Sequence, residues 1–130
     1  MATTVQTIII DSAVNVGASV IANGISGGGT ITVYTVPAGK TFWGTLSIDV
    51  SASTSGGGTT ASASASIGGV TVASASSAGG SGNQSQSKEY QIIGPGSAIV
   101  ISSSAVKGGF GTGANGTVSA ALIGTLISNS

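Results

Sequence analysis

A chain of 130 residues with six charged side chains, three lysines against three acids, and with no Arg, His or Cys, lacks most of the groups that enzymes use. Without histidine no side chain titrates near neutrality unless perturbed, and without cysteine there is no disulfide, no thiolate nucleophile and no zinc site of the usual kind. Three lysines cannot neutralise a phosphate backbone, which argues against nucleic acid as a partner, and no run reaches the roughly 20 apolar residues of a membrane-spanning helix.

Residues 1–29 carry two apolar stretches, 5–10 and 14–22, and end in Asn23-Gly24-Ile25-Ser26-Gly27-Gly28-Gly29. They read either as first strands followed by a loop, or as an N-terminal arm that adds a strand to a neighbour's sheet edge. Ile8, Ile9 and Ile10 are the candidate contacts of such an arm. The start has no basic segment and its apolar run is too short for a signal peptide, so no leader is expected. Residues 30–130 are expected to form one β-sandwich domain.

From residue 30 onward the apolar period is two wherever it can be read, which predicts strands. Ile31 and Val33 alternate with Thr30, Thr32 and Tyr34. Leu46, Ile48, Val50 and Ala52 alternate with Thr45, Ser47, Asp49 and Ser51, one face apolar and the other polar. Ala61, Ala63, Ala65 and Ile67 alternate with serines, and Val70 and Val72 open the next strand. Further strands are expected at 89–93, 97–102 and 117–127, the last apolar on both faces and so a central strand or a subunit contact, with a helix the alternative that its Thr, Val and Ile content disfavours. Val36-Pro37-Ala38-Gly39 suits a type I turn with Pro at its second position, and Gly94-Pro95-Gly96-Ser97 suits type II. Gly68-Gly69 reads as a two-residue hairpin loop. Residues 53–58 and 77–87 read as exposed loops, and Lys88-Glu89 as a solvated strand start. Eight or nine strands with such turns predict an all-β fold, an antiparallel jelly-roll-like sandwich.

The motifs that could carry chemistry fail on context. Gly111-Thr112-Gly113-Ala114-Asn115-Gly116 spells a dinucleotide fingerprint but has no acidic residue after it, so it reads as a glycine loop with Asn115-Gly116 in a tight turn. Gly39-Lys40-Thr41 ends like a phosphate-binding loop, yet Tyr34 stands where the first glycine belongs. Gly79-Gly80-Ser81-Gly82-Asn83-Gln84 approaches a calcium-binding repeat, with Gln84 in place of the Asp ligand. Serine is abundant, but nothing in the sequence activates one. No catalytic residue, cofactor or metal site is therefore expected.

Aromatic residues are few, and Ala, Ser and Gly fill whole segments, so the core is expected to be thin. Charged residues make up 5% of the chain, against about 25% in ordinary soluble domains, and the net charge is zero. Both features point to burial between subunits. Trp43 falls by alternation on the polar face of its strand, where it reads as an interface anchor, since Trp and Tyr are enriched among binding hot spots. Tyr34 and Tyr90 join it as candidate interface residues.

Tyr34-Thr35-Val36-Pro37-Ala38-Gly39-Lys40-Thr41 resembles a strand-turn-strand signature of small β-sandwich virion proteins of tailed bacteriophages. The segment Ile92-Ile93-Gly94-Pro95-Gly96-Ser97-Ala98-Ile99-Val100-Ile101 looks like the second such unit, and the similarity spans roughly residues 30–130. It implies a virion protein made in the host cytoplasm, most like a head decoration (cement) protein, a homotrimer bound to the major capsid protein or another virion protein. The alternative is a receptor- or carbohydrate-binding module of a tail fibre or tail tip, with Trp43, Tyr34 or Tyr90 as a stacking platform.

Overall fold

The computed structural model describes residues 8–23, 28–56, 59–78, 82–106 and 113–129. The side chains of Ile8, Ile9, Asp11 and Asn129 fall outside this description. Within it the chain forms eight strands: β1 (Ile8–Ala22), β2 (Gly29–Thr35), β3 (Lys40–Ser55), β4 (Thr60–Ile67), β5 (Val70–Ala78), β6 (Gly82–Ile93), β7 (Ala98–Val106) and β8 (Gly113–Asn129). They pair into two antiparallel four-stranded sheets, ordered β1-β8-β3-β6 and β2-β7-β4-β5.

This order has a simple origin. The chain behaves as one long hairpin, with paired positions falling nearly symmetrically about Gly68-Gly69: Ile67 with Val70, Leu46 with Tyr90, Thr32 with Val100, Val14 with Gly124. Both glycines of the turn have positive φ, 60° and 85°, which a two-residue hairpin of this type needs. Folding that ribbon over itself joins β3 to β8 and β4 to β7, and the result is an eight-stranded jelly roll.

Period-two alternation then sorts the side chains. Even-numbered residues of β3 and β8 point inward, and Phe42, Leu46, Ile48, Leu122 and Leu126 meet Ile99 and Ile101 of β7 in the core. Toward the other end the inner faces shrink to Ala52, Ala61, Ala63, Ala75 and Ala114. The sandwich is thus filled by large side chains at one end and by methyl groups at the other. At the alanine end a Cβ on Gly116 would lie 2.5 Å from the Ser62 carbonyl oxygen and 3.0 Å from that of Ser104, so glycine is required for the two sheets to meet.

Several turn and loop expectations are corrected. Asn115 and Gly116 lie inside β8, opposite Ser53 and Ala52, because Gly116 serves sheet contact and not a turn. Residues 77–87 are largely strand, with β5 running to Ala78 and β6 starting at Gly82, so Lys88 and Glu89 sit mid-strand. Residues 53–55 extend β3. The first proline turn is shifted by one residue. The Lys40 amide donates to the Pro37 carbonyl at 3.2 Å, placing Pro37 first and Gly39, with φ 79°, third. The second turn is as expected, with Ser97 N–H donating to the Gly94 carbonyl and Gly96 at φ 75°.

The two proline turns are joined. The Val36 amide donates to the Ser97 carbonyl at 2.9 Å, and the Gly96 amide to the Val36 carbonyl at 2.8 Å, with the Val36 side chain fully buried between them. They close the bulky end of the sandwich.

Candidate interaction surface

The outer face of the β1-β8-β3-β6 sheet carries a group of large apolar side chains at one end, with Ile21 exposed at the other. Trp43 on β3 stands opposite Ile92 on β6 and Thr125 on β8. One step along β8, Ile123 stands opposite Thr45 and Asn15; two residues beyond Thr125, Ile127 stands between Thr41 and Ile10. Ile10, Ile92 and Ile123 are 74%, 61% and 63% exposed, and Trp43 is 44% exposed, whereas Ile127 is already buried. With strands about 4.8 Å apart, the row from β6 to β1 spans roughly 14 Å. Trp43 and Ile92 stand side by side, Ile123 lies diagonally from Trp43, and Ile10 borders Ile127. These side chains are thus grouped at one end of the face, and apolar groups of this kind mark interaction sites.

Local sequence places each side chain. A bulge in β3 between Trp43 and Leu46 interrupts its register with β6. The β3·β8 ladder runs unbroken through the same residues, so Trp43 keeps the outward parity of Thr45, Ser47 and Asp49. A second bulge, between Ile10 and Ser12, changes the parity of β1 and turns Ile10 to the outer face.

Beyond the patch the described side chains of the face include hydroxyls, the exposed Ile21 and the carboxylates of Asp49 and Glu89. Ser87 Oγ donates to Asp49 Oδ1, and Gln91 Nε2 donates to Glu89 Oε1 at 3.1 Å. Among the described residues no group of three or more His, Cys, Asp or Glu side chains comes together to hold a metal ion. No helix there is long and apolar enough to cross a membrane.

Of the six candidate contacts, the structure brings Ile10 and Trp43 onto one face, on either side of β8. Tyr34 and Tyr90 are half-buried and pack against the core. The side chains of Ile8 and Ile9 lie outside the described ones. Ile92 and Ile123 were not among the six. The signal for Ile123 was the two-sided apolar character of the last strand; Ile92 becomes visible only once β6 is aligned with β3.

No protein-family model matches the chain, and no curated protein does. Among solved structures it is similar to the infectious bursal disease virus Gt strain structure, at 14% identity over 95% of this chain and 35% of that one, with a TM-score of 0.35. It is also similar to the VP2 subviral particle of the same virus, at 19% identity over 96% of this chain and 37% of that one, with a TM-score of 0.30. The Gx strain structure gives 18% identity over 96% and 36%, with a TM-score of 0.27. The chain spans about a third of the length of each. The strand pairing itself identifies the fold as an antiparallel jelly-roll sandwich.

Proposed function

We propose that this chain is a non-catalytic structural protein of a virion, a head decoration (cement) protein of a tailed bacteriophage. In this reading it forms a homotrimer and seats on the major capsid protein. The observation that carries the reading is the exposed group of Ile10, Trp43, Ile92 and Ile123 at one end of the sheet's outer face. Fully burying an Ile-sized side chain contributes about 1.5–3 kcal/mol, so closing this patch between copies supplies a large part of an assembly energy. Jelly rolls build viral capsid domains, among other proteins, which fits this role without fixing it. The resemblance of the two proline-turn units to phage virion proteins supports the same reading. β1, paired on one side with β8 and standing at the edge of its sheet, adds contacts by strand addition to the capsid through its free side.

The carbohydrate-binding alternative keeps only one well-exposed ring of its platform, Trp43, since Tyr34 and Tyr90 pack against the core.

The test is to add the purified chain to phage heads prepared without it. Co-sedimentation, together with a higher temperature for DNA release from the heads, is expected. Failure to sediment with heads, or binding that leaves that temperature unchanged, overturns the cement role.

A further inference from the structure

Each sheet has two free edges, and one of them is closed by side chains. Among the described residues β5 is the last strand of its sheet and pairs only with β4. Its sequence, Val-Thr-Val-Ala-Ser-Ala-Ser-Ser-Ala, holds no charge and no proline. A strand of this kind, with backbone donors pointing outward, is a ready template for another strand. Two of those donors are occupied. The Ser74 amide donates to Gln86 Oε1 at 3.1 Å, and the Ser76 amide to Gln84 Oε1 at 3.2 Å.

The two glutamines come from β6, the edge strand of the other sheet. They stand opposite Val50 and Ala52, whose side chains are buried, so their parity aims them inward. At an open rim an inward glutamine reaches across to β5 instead of into the core. Its amide carbonyl does there what the carbonyl of an added strand would do. The spacing fits this role, since residues two apart on β6 meet donors two apart on β5. Thr54 and Ser77, with their hydroxyls 2.7 Å apart, fasten β5 to β3.

We propose that the edge of β5 is a latent strand-addition site for β5 of a second copy of this chain, held closed by Gln84 and Gln86. A second copy is the occupant because β5 itself is uncharged and repeats Ala and Ser at period two. Its backbone edge is therefore complementary to itself in the antiparallel sense. Joining two copies there makes one continuous sheet of eight strands. This contact is separate from the Trp43 patch, which lies on the outer face of the other sheet.

The experiment compares the absolute mass of the full chain with that of the double variant Gln84→Ala and Gln86→Ala, by light scattering across a concentration series. The double variant is expected to reach at least twice the mass of the parent. Adding Ser74→Pro to it removes one outward donor at an edge position where proline is tolerated, and should return the mass to that of the parent. The pair Gln84→Glu and Gln86→Glu retains both acceptors and should also match the parent. If the double variant does not fold, judged by far-ultraviolet circular dichroism, the two single variants decide by the same comparison. Variants that fold and keep the parent's mass overturn the proposal, as does added mass that survives Ser74→Pro.

Discussion

Gly44 and Gly124 face each other across β3 and β8 with no room for a methyl group on either. A Cβ on Gly44 would lie 2.5 Å from the Gly124 Cα, and one on Gly124 would lie 2.6 Å from the Gly44 Cα. Each would also overlap backbone, at Ile123 and Trp43 respectively. The obstacles are main-chain atoms of a central ladder, which cannot rotate aside. The pair sits between Phe42 and Leu46 on β3 and between Leu122 and Leu126 on β8, directly behind the Trp43 patch. Gly44→Ala or Gly124→Ala is expected to cost at least about 3 kcal/mol, the upper part of the range for overpacking. Urea unfolding monitored by circular dichroism measures it.

Leu122 and Ile123 are neighbours in β8 with opposite tasks. Leu122 is fully buried between the sheets, and Ile123 is 63% exposed on the outer face. Leu122→Ala is expected to destabilise the fold by about 2–5 kcal/mol. Ile123→Ala should change the stability of the unassembled chain by less than about 0.5 kcal/mol while weakening self-association. Denaturation at low protein concentration separates the two effects, and equal losses of stability in both variants would contradict the assignment of faces.

Ser103 lies on the inner face of β7, and its hydroxyl is buried without a hydrogen-bond partner among the described residues. Leaving such a group unsatisfied costs about 1–3 kcal/mol, while an apolar replacement of similar shape is nearly neutral or stabilising. Ser103→Ala is therefore expected to leave stability unchanged or raise it by up to about 1 kcal/mol. A clear loss of thermal stability would show that the hydroxyl has a partner.

An interface centred on isoleucines and a tryptophan should respond weakly to ionic strength. Salt screens charges over about 8 Å at 0.15 M, and apolar burial needs no such attraction. The dissociation constant of the assembly is expected to change by less than about threefold between 0.05 M and 0.5 M sodium chloride. A steep loss of assembly over that range would point to Asp49 and Glu89 as the principal contacts.

Much of this architecture is legible locally, because strand alternation and turn residues act within a few positions. Leu46 to Ala52 and Ala61 to Ile67 announce their faces by period two, and Gly68-Gly69 announces its hairpin. β6 is less legible since Asn83 to Glu89 is polar at every position, leaving no alternation to read. Its strand is set by pairing with β3 and by the reach of Gln84 and Gln86 to β5. Asn115-Gly116 misleads for a related reason. The dipeptide favours a turn locally, whereas the demand on Gly116 comes from Ser62 and Ser104, distant in sequence. The patch lies between these cases. Trp43 is legible from parity, but its grouping with Ile92, Ile123 and Ile10 requires the register of four strands and a bulge in β1.

The most direct test of the account is the absolute mass of the chain in solution, by light scattering after size-exclusion chromatography, compared with Trp43→Asp. The parent is predicted to run as a trimer. The variant is predicted to run as a folded monomer with its circular dichroism spectrum unchanged. A parent that is monomeric at high concentration, or a variant that keeps the parent's mass, would contradict the claim that this face holds copies together.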